Sequence, residues 1–352
     1  MKTNKRIVRI ADLKIGGKNP IIVQSMTKVP TTRIEKVLSQ IKRMANAGCE
    51  MVRLAVLNRD DAAAIKKIKK ASPIPVIADI HFDYRLALQA IDNGADKVRI
   101  NPGNIGEEWK IAEIIKKAKN NGIPIRIGVN SGSLPKKITR NTQHPDASEI
   151  VTAVQDALDI FLKNRFKDMV ISAKGSDVIE TIEAYKKIDE EFDYPLHVGI
   201  TEAGLPFRGA IRSAVGIGHL LHQGIGNTIR VSLTGDPVLE VVAAFEILQS
   251  LKLRKHGPVM ISCPTCGRCQ VNLEKIAGKV EDRLAKYKQF MKVAVMGCVV
   301  NGPGEARYAD FGMACGKGIG MIFAKGKELR RVKENVLVDS LFEVIDADIN
   351  NR

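Results

Sequence analysis

The sequence predicts an α/β fold, a (β/α)8 TIM-type barrel over residues 1–255 followed by a small α+β domain over residues 256–352. Short apolar strands alternate with amphipathic helices eight times in the first 255 residues, as in proteins with a parallel sheet. Eight such units in about 250 residues fit a closed barrel. No G-x-G-x-x-G turn follows the first strand, which disfavours an open dinucleotide-binding sheet. Beyond residue 255 the alternation stops and cysteines cluster, which indicates a second domain.

Each unit of the predicted barrel pairs one strand with the helix that follows it. The predicted strands are 20–26, 50–56, 75–80, 97–102, 124–130, 168–174, 195–200 and 228–234. The predicted helices are 31–48, 60–71, 84–94, 107–122, 147–164, 176–188, 209–224 and 237–253. In the first helix, Thr32 and Glu35 have the spacing of a capping box, and Gly48 stands where a left-handed residue ends a helix.

Composition narrows the class of protein. Hydrophobic residues make up 45% of the chain and charged residues 27%, which is typical of a globular protein. No signal peptide or apolar run of about 20 residues is present, so we expect a soluble cytoplasmic protein with no membrane partner. The net charge of +16 fits a basic surface, nucleic acid, an anionic substrate or an acidic protein partner, and charge alone does not separate these.

Polar residues lie at or near the carboxyl ends of all eight predicted strands, where barrel enzymes build their active sites above an apolar lumen. They are Gln24, Ser25, Arg53, Asp79, His81, Arg99, Asn101, Arg126, Asn130, Lys174, Glu202, Arg230 and Ser232. Any one arginine could simply pair with a carboxylate. Four arginines and Lys174 at one mouth, with Asp79 and Glu202 as the nearby carboxylates, instead favour an anionic substrate with at least two phosphoryl groups.

Two of these residues carry further hypotheses. Glu202 is an acidic side chain among cations, and we interpret it as a proton donor or base; the alternative is that it neutralises an arginine. His81 either donates a hydrogen bond to a phosphate or is satisfied within the barrel mouth, and the sequence favours neither.

The cysteines of the second domain form a spaced group. Cys263, Cys266 and Cys269 occur in SCPTCGRC, and Cys298 follows in GCVVNGPGE. A disulfide framework is disfavoured because the cytoplasm keeps thiols reduced. The spacing resembles a ferredoxin-type run that binds an iron–sulfur cluster, although four thiolates also suit zinc. The single cysteine in the second, glycine-rich element favours a cluster over a zinc ribbon.

Eight motifs then identify a resemblance. The motifs are VQSMT (23–27), ADIHFDYRLAL (78–88), RINPGNIG (99–106), IPIRIGVNSGSL (123–134), GITEAG (199–204), RVSLTGDP (230–237), SCPTC (262–266) and GCVVNGPGE (297–305). With these motifs the chain resembles the bacterial two-domain 4-hydroxy-3-methylbut-2-enyl diphosphate synthases of the non-mevalonate isoprenoid pathway, from about residue 5 to about residue 325.

The resemblance implies an iron–sulfur oxidoreductase that reductively opens 2-C-methyl-D-erythritol 2,4-cyclodiphosphate with loss of water. It implies a [4Fe–4S] cluster on Cys263, Cys266, Cys298 and Glu305. The implied substrate contacts are Arg53, Arg99, Asn101, Arg126, Asn130, Lys174, Glu202, Arg230 and Ser232, with Asp79 and His81 nearby. Glu202 and Glu305 are the implied catalytic residues: Glu202 donates a proton to the departing oxygen, and Glu305 is a harder, more exchangeable iron ligand than a thiolate.

The resemblance also implies partners. Relatives are homodimers in which the cluster module of one chain covers the barrel of the other, and the basic surface suits an acidic flavodoxin or ferredoxin. Cys269 departs from the motif, and we interpret it as a bystander. The competing hypothesis is an RNA-binding or RNA-modifying barrel with a zinc module; the chain is only 5% aromatic, which disfavours nucleic acid. A radical enzyme using S-adenosylmethionine is less favoured, because its three-cysteine motif has a wider first spacing.

Overall fold

The computed structural model describes residues 5–134, 146–175, 177–201, 204–269, 271–298, 304 and 308–351. Contacts divide the chain into two compact units, residues 1–254 and 255–352. The sequence-based boundary at 255/256 is one residue further along. The functions assigned to the two domains stay predictions.

The first unit begins with a small hairpin, β1 (Val8–Ile10) and β2 (Leu13–Ile15), and continues as eight parallel strands. The strands are β3 (Ile22–Met26), β4 (Met51–Val56), β5 (Val76–Ile80), β6 (Lys97–Ile100), β7 (Ile125–Asn130), β8 (Met169–Lys174), β9 (His197–Val198) and β10 (Thr228–Ile229). They pair in the order β8-β7-β6-β5-β4-β3-β10-β9, and a parallel bridge from Ile171 to Leu196 joins the two edges. The predicted barrel is therefore confirmed.

Helices surround these strands. They are α1 (Ile34–Asn46), α2 (Arg59–Ala71), α3 (Tyr84–Asp92), α4 (Pro102–Ile105), α5 (Glu108–Asn120), α6 (Ala147–Lys163), α7 (Val178–Glu191), α8 (Pro206–His222) and α9 (Pro237–Ser250). The main hydrophobic core lies between the strands and this outer layer of helices. Each of the eight predicted strand–helix units is present. The hairpin and the single-turn helix α4 were not predicted.

The predicted capping box of the first helix is wrong. The helix begins at Ile34, and its N-cap residue, Arg33, makes no side-chain capping bond. A turn precedes it, in which the Arg33 amide donates to the Pro30 carbonyl at 3.0 Å, so the helix starts one residue later than a Thr32 cap requires. Gly48 does adopt the left-handed conformation, with φ of +99°.

The expectation of an apolar lumen holds only at one end of the barrel. There the hairpin residues Ile10 and Ile15 pack against Ile22, Met51 and Ile77. Other side chains inside the barrel are polar: Lys97, Arg126 and His197 are all buried, and Lys97 and His197 are the first residues of β6 and β9. The hairpin therefore closes the amino-terminal end of the barrel, and the polar interior opens towards the carboxyl ends of the strands.

The described residues of the second unit include a five-stranded mixed sheet and two helices of 12 and 14 residues. Its elements are β11 (Pro258–Ser262), α10 (Leu273–Leu284), β12 (Met291–Met296), β13 (Phe311–Ala314), β14 (Ile319–Ala324), β15 (Lys327–Lys333) and α11 (Leu337–Asn350). β11, β12 and β13 are parallel, and β14 and β15 complete the sheet antiparallel. One face of the sheet packs against both helices. The predicted small α+β fold is confirmed.

No helix in the described parts of the chain is long and apolar enough to span a membrane.

Candidate functional site

The centre of the barrel mouth is Asp79, a carboxylate held among cations. Strand pairing sets Asp79 on β5 opposite Arg99 on β6. The Asp79 carboxylate lies 3.2 Å from Arg99 Nη1, 3.4 Å from Arg53 Nε and 3.4 Å from His81 Nε2. Asp79, Arg53 and Arg99 are each at most 6% exposed. The predicted convergence of these side chains is thus present in the structure.

Burial opposes the negative charge on Asp79, but its neighbours outweigh that effect. The charge of Arg53, the hydrogen bond from His81 and the charge of Arg99 hold the pKa of the Asp79 carboxyl well below its usual value. Asp79 is therefore ionised across the physiological range, and one carboxylate is shared by several cations. The arginines keep unmatched positive charge that a bound anion can neutralise.

A glycine makes room for the Arg99 side chain. A Cβ built on Gly128 of β7 would lie 2.4 Å from Arg99 Nε, so a larger residue at 128 would push the guanidinium aside. β7 carries Arg126 two residues before this gap, on the same side of the strand. The small residue at 128 thus lets two arginines on neighbouring strands face the lumen together.

Arg126 is the most deeply buried of the predicted substrate contacts that the structure describes, at 1% exposure. Its Nε and Nη1 atoms have no hydrogen-bond partner among the described residues. Burial, and then the charges of Arg53 and Arg99, lower the pKa of Arg126 well below its usual value. A buried guanidinium with unsatisfied donors is costly in a folded protein. The arrangement is what an oxyanion-binding site requires before its ligand arrives.

The other predicted contacts among the described residues lie at or just after the carboxyl ends of their strands. Asn130 and Lys174 are paired neighbours at the ends of β7 and β8. Burial, together with the surrounding arginines, lowers the pKa of the Lys174 ammonium well below its usual value. Asn101 is buried after β6 and caps α4, accepting from the Gly103 amide at 3.1 Å. Ser232 is half-buried beyond β10.

Glu202 lies outside the described residues, so its predicted role stays a prediction.

Arg230 corrects the prediction that Asp79 and Glu202 are the carboxylates near the arginines. Its Nε and Nη2 atoms lie 3.4 Å from the buried carboxylate of Glu240, in the first turn of α9. Burial, and then the charge of Arg53, lower the pKa of Arg230 to about 10. The alternative, that an arginine pairs with a neighbouring carboxylate, therefore holds for Arg230. Sequence reasoning missed Glu240 because the neighbouring residues of its helix are apolar and give no sign that the carboxylate faces the barrel mouth.

Two other lumen residues were also missed. Lys97 is fully buried two residues before Arg99, and its Nζ atom has no hydrogen-bond partner among the described residues. His197 is buried with Nδ1 2.7 Å from the Thr228 hydroxyl. Burial, and then the charges of Arg126 and Lys97, lower the pKa of His197 well below its usual value. The sequence signal for Lys97 was its two-residue spacing from Arg99, which puts both side chains on one face of β6.

We expect Lys97→Met to stabilise the protein, most strongly at neutral and lower pH. Burial, and then the charges of Arg126 and Arg53, lower the Lys97 pKa well below 10.5, so the unfolded chain binds a proton that the folded chain does not. Wild-type stability therefore rises with pH between the lowered pKa and about 10.5. The variant lacks that slope, so its gain at pH 7, at least about 1 kcal/mol, should shrink towards pH 10. Thermal unfolding of both proteins from pH 6 to pH 10 measures this, and a gain that does not change with pH would contradict it.

The cysteines of the second unit follow the carboxyl ends of adjacent parallel strands. Cys263 comes directly after β11, and Cys298 follows β12 by two residues. The Cys263 amide donates to the Val295 carbonyl at 3.2 Å, which continues the pairing of the two strands. Cys263 and Cys298 are partly exposed and Cys266 is exposed. The predicted presentation of thiols from two loops is present in the structure.

Gly297 forms a cradle between two sulfur atoms. A Cβ built there would lie 2.7 Å from Cys269 Sγ and 3.3 Å from Cys263 Sγ, so the site needs a residue without a side chain. The Gly297 amide also donates to Cys263 Sγ at 3.2 Å. Hydrogen bonds from Arg268, first from its amide and then from its side chain, lower the pKa of the Cys266 thiol. Both effects favour thiolates, the form in which cysteine binds metals.

This donor set fits an iron–sulfur cluster. Three cysteine thiols from two neighbouring loops supply the soft sulfur ligands that iron–sulfur clusters take, and the same ligands also suit zinc. Glu305, the predicted fourth ligand, lies outside the described residues. Cys269 is the cysteine that we interpret as a bystander near the cluster site. Its Sγ atom lies 3.3 Å from the Val271 carbonyl, to which it donates.

The surroundings of the other two cysteines keep their thiols unreactive. Cys49 and Cys315 are both buried. Burial raises the pKa of each thiol to about 12. They stay protonated at neutral pH and are poor ligands.

Both units match a known family. The profile of the GcpE TIM-barrel domain matches residues 5–245, and that of the GcpE protein C-terminal domain matches residues 259–347. Three curated relatives are named 4-hydroxy-3-methylbut-2-en-1-yl diphosphate synthase (flavodoxin). The Clostridium tetani protein is 54% identical and covers 96% of this chain and 97% of its own length. The Fusobacterium nucleatum protein is 49% identical and covers 100% of this chain and 99% of its own length. The Geobacillus kaustophilus protein is 51% identical and covers 98% of this chain and 92% of its own length.

Solved structures share the barrel fold alone. Dihydropteroate synthase from Stenotrophomonas maltophilia aligns with a TM-score of 0.54 at 15% identity, covering 70% of this chain and 98% of its own. The Yersinia pestis enzyme aligns with a TM-score of 0.52 at 13% identity, and the alignment covers 70% of this chain and 99% of that enzyme. At these identities the likeness concerns the first unit's architecture.

Proposed function

The chain belongs to the GcpE family of enzymes, and we propose that it reductively opens 2-C-methyl-D-erythritol 2,4-cyclodiphosphate to 4-hydroxy-3-methylbut-2-enyl diphosphate in isoprenoid biosynthesis. The overall change takes up two electrons and two protons: the ring bond between carbon and a phosphate oxygen breaks, the hydroxyl on the neighbouring carbon leaves as water, and a C=C bond forms between the two carbons. The observation that carries the proposal is the cluster of buried arginines around Asp79 at the barrel mouth.

The arginines are proposed to bind the diphosphate. Arg53, Arg99 and Arg126 face one another in a dry site where only Asp79 and, beside Arg230, Glu240 supply negative charge among the described residues. Guanidinium groups bind phosphoryl oxygens through paired hydrogen bonds, which fixes the orientation of the ring as well as its position. The same cations stabilise the charge on the phosphoryl oxygen when the ring opens.

Other residues are proposed to place the ring and supply protons. Asn101, Asn130, Lys174 and Ser232 are suited to hydrogen-bond the hydroxyl and phosphoryl groups of the substrate. Glu202 is proposed to hold the proton that converts the departing hydroxyl to water, and His81 to donate a hydrogen bond at the edge of the site. The walls of the barrel exclude bulk water, which strengthens each of these interactions.

We propose that Cys263, Cys266, Cys298 and Glu305 hold a [4Fe–4S] cluster. The Gly297 cradle and the Arg268 hydrogen bonds to Cys266 support thiolates at this place. When bound, the cluster supplies electrons one at a time from a reduced flavodoxin or ferredoxin. The net charge of +16 suits such acidic donors, and the names of the relatives specify flavodoxin. Free thiols fit a protein that works in the reducing cytoplasm.

We also propose a homodimer, because apolar side chains are exposed around the barrel mouth. Leu57, Phe82, Leu205 and Phe207 follow strand ends and are between 67% and 79% exposed. An exposed apolar rim of this kind favours a protein partner, and a second copy of the chain would cover it. Light scattering should give a mass of two chains, and a mass of one chain would contradict the dimer.

The experiment that tests the proposed function is turnover by anaerobically purified protein. The protein is mixed with the cyclic diphosphate and a reduced one-electron donor, and phosphorus NMR follows the substrate. We expect the two resonances of the cyclic diphosphate to be replaced by those of a linear diphosphate. Persistence of the substrate, with the protein folded and its iron in place, would contradict the proposal.

A further inference from the structure

Glu240 is a buried carboxylate at the seam between β3 and β10 that the proposed mechanism does not use. It is 1% exposed. It accepts hydrogen bonds from Ser25 Oγ at 2.8 Å, Lys28 Nζ at 2.6 Å and the Leu233 amide at 3.1 Å, besides the two Arg230 contacts. These donors come from both strand ends of the seam. A single helix residue therefore joins β3, β10 and a predicted substrate contact.

The contacts divide between the two carboxylate oxygens. Oε2 accepts from Ser25 and from Arg230 Nε, and Oε1 accepts from Lys28, Leu233 and Arg230 Nη2. Arg230 is thus held by a two-point contact whose orientation is fixed by the other donors. Lys28 is tied down as well, because its Nζ atom also donates to the Leu233 carbonyl at 2.8 Å.

We propose that Glu240 is a positioning residue that orients the Arg230 guanidinium for the diphosphate. An arginine side chain has several rotatable bonds, and fixing it before the ligand arrives removes that ordering cost from binding. A neutral amide at position 240 cannot hold both guanidinium nitrogens, because one of its two polar atoms is a donor. The inference rests on the proposed function, because it takes Arg230 as a substrate contact.

A carboxylate that only stabilised the fold could occupy the same position. The test therefore measures whether the effect of Glu240 on activity depends on the presence of Arg230. The variants are Glu240→Gln, Arg230→Met and the double substitution, assayed for kcat/KM and for thermal unfolding. We expect each single variant to lose at least about tenfold in kcat/KM. In the Arg230→Met background we expect Glu240→Gln to cost less than about twofold, since its effect acts through Arg230. An equal loss in both backgrounds, or no loss in either, would overturn the proposal.

Two further variants serve as a control and as a replacement should the first variant fail to fold. Glu50→Gln is the matched control: Glu50 pairs with Arg254 at 3.1 Å and accepts from the Val23 amide, but precedes β4 at the other end of the barrel. We expect its kcat/KM to stay within about twofold of wild type. If Glu240→Gln does not fold, Glu240→Asp, which keeps the charge but withdraws it by one methylene, enters the same cycle with the same expected coupling. Full activity of Arg230→Met alone would count against the proposed diphosphate site.

Discussion

Cys298→Ser should yield a folded but colourless protein whose turnover falls by at least about a hundredfold. A serine hydroxyl is a hard, weakly acidic oxygen that replaces a soft thiolate poorly on iron. Because Cys298 stands in a loop and is partly exposed, its replacement should leave the sheet of the second unit intact. Visible absorption, iron content and circular dichroism of anaerobically purified protein measure the three expectations.

The matched control for this variant is Cys269→Ser. Cys269 lies beside Cys263 at the Gly297 cradle, so the substitution makes the same change within the same site. Its sulfur lies 3.3 Å from the Val271 carbonyl, to which it donates, a bond that a serine hydroxyl can replace. We expect Cys269→Ser to keep its colour and most of its turnover. Loss of iron from Cys269→Ser, with Cys298→Ser unaffected, would reverse the ligand assignment.

Arg126→Met should separate activity from stability. We expect kcat/KM to fall by on the order of a hundredfold, because the methionine cannot bind a phosphoryl oxygen. Thermal stability should stay level or rise, because the wild-type guanidinium is 1% exposed with two nitrogens unpartnered among the described residues. Parallel measurements of turnover and melting temperature test this. Loss of activity with an equal loss of stability would show that Arg126 supports the fold rather than the substrate.

Arg254→Met provides the comparison. Arg254 pairs with Glu50 and also donates to the Ile21 carbonyl, so its guanidinium is satisfied in the folded protein. Its removal should lower the melting temperature and leave kcat/KM within about twofold of wild type. The opposite responses of two arginines in one unit would identify Arg126 as part of the binding site.

Much of the architecture could be predicted because strand and helix periods differ. The helix before Gly48 has apolar residues at helical spacing, whereas the strand that contains Arg53 is a short, mostly apolar run. Mouth residues such as Asp79 and Arg99 could be predicted because parallel strands end on one side of a barrel. β9 and β10 extend over only two residues each, and their predicted strands run further.

The polar lumen was harder to predict. A barrel strand is buried on both faces, so His197 could not be assigned to the inside until register was known, whereas Lys97 could have been assigned from its spacing to Arg99. Glu240 reaches the site from a helix across the seam, and that contact depends on packing between distant segments. The Thr32 capping box failed because a turn at Pro30 shifts the start of the helix.

The most direct test of the central claim is the iron and acid-labile sulfide content of wild-type protein purified without oxygen. The claim is that the cysteine unit holds a redox cluster, which makes the diphosphate site of the barrel a site of reduction. We expect a brown protein with about four irons and four sulfides per chain, whose colour bleaches on reduction and returns when the cyclic diphosphate is added. A colourless protein that contains zinc instead of iron would contradict the account.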